Sequence, residues 1–226
     1  MNDSDKQPLL RTSEEGQRPV QLSILGDFVL SHSDGRQFSI ATKKNRALLA
    51  VLALSPGFQA TRERLCGLLW GDRGEDQARS SLRQSLAVLR KELGQIEELV
   101  LKAHYDIVAL RSDTVQMDAV EFLALSNNSE IPALREAAKL YRGELLGDTS
   151  IRDAAFEDWL STERSRLRTV AIKIFDRLVP LEVGHSRIVA AQQLVSFDPL
   201  RESSQRLLMQ AYADQGDNGL ALKQFE

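Results

Sequence analysis

With 226 residues, of which 42% are hydrophobic and 27% charged, the chain can bury a sizeable core and is long enough for two ordinary domains, which excludes a disordered or fibrous polymer. The longest apolar run, Ala47 to Leu54, is too short to cross a bilayer, and Met1 to Leu10 has neither the basic start nor the apolar stretch of a secretion signal. A cytoplasmic protein without a membrane partner is therefore expected. The net charge of −3 hides an asymmetry: between Ala41 and Lys91 ten basic residues stand against four acidic ones, a surplus of +6 that leaves −9 for the remainder, as a local phosphate-binding surface in an acidic protein requires.

Residues 1–18 mix small, polar and proline residues without periodicity and read as a flexible leader. The β-rich stretch Val20 to Leu30 predicts a strand bent at Gly26-Asp27, followed by a turn over Ser31 to Gly35 and a short strand from Gln37 to Ile40. Lys43 to Leu54 has helical period and stops at Ser55-Pro56-Gly57. Thr61 then caps a short helix running to Trp70, and a turn through Gly71 and Gly74 leads into a third helix, roughly Glu75 to Leu93, closed by Gly94. Leu99 to Leu101 and Ile107 to Leu110 read as a hairpin around Lys102 to Asp106. Strands, three helices and a terminal hairpin describe a winged helix-turn-helix over residues 19–112.

Residues 113–226 read as helical repeats. Ala133 to Gly147, Glu157 to Val183, Ile188 to Phe197 and Leu200 to Gln215 carry apolar residues at spacings of three and four, separated by Gly, Pro or Asp turns. Gly184 and Gly216 lie 32 positions apart, close to the ~34-residue tetratricopeptide period. The linker between Arg111 and Asp118 is short, so the two regions should be coupled. Leu220 to Glu226 reads as an amphipathic helix without a capping end, which leads to the expectation that the chain continues in a longer protein. The expected fold class is mainly α with small β-sheets, a winged helix-turn-helix plus a tetratricopeptide-like domain.

The third helix carries the functional argument. At about 100° per residue, Ala78, Leu82, Leu86, Leu89 and Leu93 form one stripe that must face a core. Arg79, Arg83 and Arg90 flank it, and Ser80, Gln84, Ala87 and Lys91 continue around the outer face. Arg grips guanine edges or phosphates bidentately, Gln pairs with adenine, and the major groove admits a helix, so double-stranded DNA is the expected partner. The alternative for such a face is simple solvation. Lys43, Lys44 and Arg46 put cations at the start of the first helix, where its dipole disfavours them unless phosphate is near. In the hairpin, Lys102, His104 and Arg111 are candidates for backbone contact, while Tyr105 reads equally as packing against the third helix. Arg90, Lys91, Lys43, Lys44, Arg46, Lys102 and Arg111 are assigned mainly to phosphates, and Arg79, Ser80, Arg83, Gln84 and Ala87 to the groove.

No catalytic constellation accompanies these residues. There is no Gly-rich phosphate loop, and His32, His104 and His185 stand apart without ligand spacing. Cys66, among Leu65, Leu68 and Leu69, reads as a packing residue. Neither enzyme nor cofactor nor metal site is expected. A repeat-type interaction scaffold without specific DNA binding is the rival reading.

The stretch Leu68 to Gly94, with its tryptophan turn, arginine-bearing helix and closing Leu-Arg-Lys-Glu-Leu-Gly, resembles the DNA-binding domain of the Streptomyces antibiotic regulatory protein family, whose winged helix is of the response-regulator (OmpR/PhoB) type. Val115 to Phe122 is similar to the family's junction into its second domain. Phe197 to Glu202 and Leu207 to Asp217 are similar to the bacterial transcriptional activator domain that follows. The hairpin departs, with His104-Tyr105 where Gly-Tyr is usual, and His185 stands where aspartate is commoner. The resemblance implies a transcriptional activator that sits head-to-tail on tandem direct repeats, recruits RNA polymerase, and self-associates on DNA through its repeat domain.

Overall fold

The computed structural model describes residues 19–224, so the expected leader and the last two residues lie outside the described residues. Strands β1 (Val20–Ser23), β2 (Val29–His32) and β3 (Gln37–Phe38) pair antiparallel in sequence, and β7 (Val115–Met117) lies parallel against β1, giving the order β3-β2-β1-β7. The expected single bent strand is thus two strands, because Gly26 at φ +105° reverses the chain between them. The third strand is also shorter than the expected Gln37 to Ile40.

Helix α1 (Lys43–Leu54) is followed by β4 (Gln59–Thr61), α2 (Arg62–Leu69), α3 (Glu75–Leu93) and the single turn α4 (Glu97–Val100). Thr61 caps α2 by accepting a hydrogen bond from the Arg64 N–H. Acidic residues open α3 and Arg90 and Lys91 close it, both favourable to its dipole. The wing is β5 (Leu101–His104) against β6 (Ile107–Leu110), with β4 on the far side of β6. It starts two residues later than expected, since Leu99 and Val100 belong to α4.

Five helices make up most of the remainder: α5 (Asp118–Leu125), α6 (Ile131–Leu140), α7 (Ala154–Leu178), α8 (Gly184–Phe197) and α9 (Glu202–Asp214), with the short α10 (Asn218–Lys223) after them. The expected helix from Ala133 to Gly147 stops at Leu140. Residues 141–147 instead return to the first sheet, where Leu145 bridges Leu25 and the Gly26 and Gly147 N–H groups donate to Glu144 O and Gly26 O. The expected helix to Val183 ends at Leu178, before the 3-10 turn that holds Pro180. One continuous core joins both regions, from Leu22, Leu48 and Leu82 to Phe122, Phe156 and Phe175.

The segment expected to be a linker is therefore part of a sheet, and Asp118 behind it is a latch. Its carboxylate is 6% exposed and accepts from Ile24 N (2.9 Å), Leu25 N (3.1 Å), Ala119 N (2.7 Å) and the Arg142 guanidinium (2.8 Å). Burial pushes this carboxyl above its ordinary value, while the Ile24 and Leu25 N–H groups and Arg142 pull it back down. Strand β1, helix α5 and the loop after α6 are held by one side chain. The fold thus runs across the division expected at residue 112.

Candidate nucleic-acid interface

Helix α3 buries the stripe read from its period: Ala78, Leu82, Leu86, Leu89 and Leu93 face the core. Ser85 is buried with them, which the hydrophobic pattern alone does not indicate, and its hydroxyl bonds to the Asn45 amide of α1. Glu92 accepts from the Asn45 amide and from Ala41 N, both at 3.1 Å, so the start of α1 is clamped to the far half of α3. Those contacts fix the rotation of α3 about its own axis. They leave Arg79, Ser80, Arg83, Gln84, Ala87, Arg90 and Lys91 all exposed on the outward face.

The outward face divides into two. Arg79 and Arg83 line a cleft of about 430 Å³ together with Arg62 and Glu63 at the start of α2 and Asp106 at the wing tip. Arg62 was not singled out from the sequence. It ties α2 to the wing, its backbone N–H donating to Asp106 O and its guanidinium Nε to Tyr105 O, both at 2.7 Å. Ser80, Gln84, Ala87 and Lys91 lie outside that cleft, with Val88 beyond them around the helix. Arg79 pairs with Glu75 and Arg90 with Glu97, solvent-exposed ion pairs that cost little to exchange for a phosphate.

The supporting residues separate into free and committed. Lys43 and Lys102 are exposed, as is His104. Lys44 instead donates to Leu69 O and sits 5.0 Å from the Trp70 ring centroid, and its burial lowers the ammonium's pKa. Arg46 donates to Ile40 O at 2.6 Å and pairs at 2.6 Å with Asp148, a residue of the second region. Arg111 is held by Asp113 at 2.7 Å and by Glu98 O. The expectation that Lys44 and Arg46 serve phosphate does not take account of these intramolecular partners, whereas the pair of Arg111 with Asp113 is as exposed as that of Arg90. Tyr105 does not pack on α3; it is 86% exposed at the wing tip, at φ +44°, edge-on to His104.

The Arg46 arrangement separates stability from binding. Arg46→Ala removes a half-buried ion pair and a carbonyl contact, and should cost about 1–2 kcal/mol in denaturant unfolding. It should leave affinity for duplex DNA within about twofold of wild type, the reverse of the pattern expected for exposed Lys43. A large loss of duplex binding by folded Arg46→Ala protein would contradict the structural role.

Residues 126–226 match the bacterial transcriptional activator domain. The chain is 26% identical over 230 residues to regulatory protein AfsR of Streptomyces coelicolor, covering 96% of this chain and 22% of that protein. Identity to AfsR of Streptomyces griseus is 28% over 233 residues, covering 97% and 24%. Transcriptional regulatory protein MoaR1 of Mycobacterium tuberculosis is 24% identical over 214 residues, covering 85% of this chain and 66% of that one. The chain thus spans less than a quarter of the AfsR proteins. In fold it is similar to the solved structure of Mycobacterium tuberculosis EmbR in complex with a low affinity phosphopeptide, at a TM-score of 0.59 and 22% identity over 92% of this chain and 58% of that one. That likeness extends through the winged helix and the helical region behind it.

Proposed function

We propose that this chain is a transcriptional regulator of the Streptomyces antibiotic regulatory protein family, and that it binds duplex DNA by laying the outward face of α3 in the major groove. The observation that carries this reading is the fixed rotation of α3. Asn45, Ser85 and Glu92 clamp its inner side and turn two unclamped groups outward, guanidinium forks toward the wing and a hydroxyl and an amide away from it. Arg79, Ser80, Arg83, Gln84 and Ala87 meet base edges. Lys43, Arg90, Lys91 and Lys102 meet phosphates, Lys44 and Arg46 drop out of the contact set, and Arg111 can join it by exchanging its exposed pair with Asp113.

Several copies sit head-to-tail on direct repeats spaced about one helical turn, ~10–10.5 base pairs, so that each α3 enters the groove in the same orientation. The helical region contacts a neighbouring copy and RNA polymerase, and the chromosome places the protein in the cytoplasm. That region reaches the elements that flank α3: Asp153, at the start of α7, accepts from the Gly71 N–H in the turn between α2 and α3 at 3.1 Å, and Asp148 holds Arg46 of α1.

A gel shift with duplex DNA at 50 and 200 mM salt tests the reading. Neutralising about four phosphates gives a log–log slope near −3.6 and a loss of affinity on the order of 100-fold across that range. Affinity independent of salt would favour the scaffold reading instead.

A further inference from the structure

We infer that Val88 is a base-reading residue of α3, its isopropyl group taking the 5-methyl of thymine beside the Gln84 amide. The inference rests on the reading of α3 as the groove helix. Val88 is 39% exposed, and it is the one large apolar side chain of α3 left outside the core. Solvation gives no reason for it, because a β-branched residue is a poorer helix former than the Glu, Lys, Arg or Ala that a solvated face prefers.

Its neighbours define what it would meet. Gln84 is four residues earlier and so adjacent on the helix surface, about 5–6 Å away between Cβ atoms. Ala87 and Lys91 border the same strip, and all three are exposed. The nearer hydroxyl, that of Ser81, is already engaged with Gln77 O and the Arg73 guanidinium, so it does not compete for a base edge. About 140° around the helix from Val88, Arg83 lies on the cationic side with the wing cleft.

An amide and an isopropyl group side by side match one base pair. A glutamine amide pairs with N6 and N7 of adenine, and the major-groove edge of the paired thymine presents O4 and an apolar methyl. A guanine or cytosine at that position offers the isopropyl group no apolar partner. Val88 and Gln84 together therefore select an A·T pair, with Arg83 reading or gripping the neighbouring stretch on the wing side.

The test is a cycle between protein and DNA. The preferred duplex, obtained by selection from a randomised pool, is remade with each thymine in turn replaced by deoxyuridine, which deletes the methyl and nothing else. Wild-type protein should lose about threefold to fivefold in affinity at one position. Val88→Ala, which folds because the position is exposed and Ala favours helix, should bind thymine and deoxyuridine duplexes equally there. Retained discrimination in Val88→Ala, or a wild type indifferent to every thymine methyl, overturns the assignment. Wild-type protein that retains no duplex above the starting pool overturns the groove reading itself, and the Val88 assignment falls with it.

Discussion

Asp118→Ala should lower stability by about 3–5 kcal/mol, because three backbone N–H groups lose the carboxylate that accepts from them. The substitution leaves the N–H groups of Ile24, Leu25 and Ala119 without an acceptor, and Ile24 and Leu25 are fully buried. Each orphaned donor costs about 1–3 kcal/mol, which is enough to account for the total. Asp118→Asn should be little better. The carboxylate only accepts, whereas the amide turns two donors toward the N–H groups or toward Arg142. Arg142→Ala should cost less than either, since that side chain is 53% exposed. In thermal unfolding the Asp118→Ala midpoint should fall by on the order of 10 °C. A shift of less than about 2 °C would show that the latch does not hold the two regions together.

The second large effect is on recognition. Arg83→Ala should weaken binding to a preferred duplex by about 1–3 kcal/mol, roughly tenfold to a hundredfold, and should flatten the preference at the bases it meets. Arg83 is exposed, so its loss should not disturb folding. Lys102→Ala, on the exposed outer side of the wing, should instead weaken every duplex about equally and reduce the salt slope by about one phosphate.

Local signals were legible in the sequence and long-range ones were not. The ends of α1 and α3 follow from Pro56, Gly57, Gly74 and Gly94, and the buried stripe of α3 follows from its period, because each depends on residues within a few positions. The early end of α6 and the return of residues 141–147 to the first sheet depend on contacts between residues more than a hundred positions apart, such as Leu25 with Leu145. No local propensity encodes those. The outward set on α3 could be read because helical geometry fixes which residues share a face. The commitments of Lys44 and Arg46 could not, because Leu69 and Asp148 approach them only in the folded chain. Val88 did leave a signal, an apolar residue outside the helix's own apolar stripe.

The role proposed for the outward face of α3 is sequence-dependent reading of duplex DNA. It is tested most directly by selecting bound duplexes from a randomised pool with wild-type protein and with Arg83→Ala/Gln84→Ala protein at ~150 mM salt, and sequencing what each retains. Wild type should enrich a direct repeat with a period of about 10–10.5 base pairs, and the double variant should still fold yet lose that enrichment. An identical enriched sequence from both proteins, or no enrichment by wild type, would contradict it.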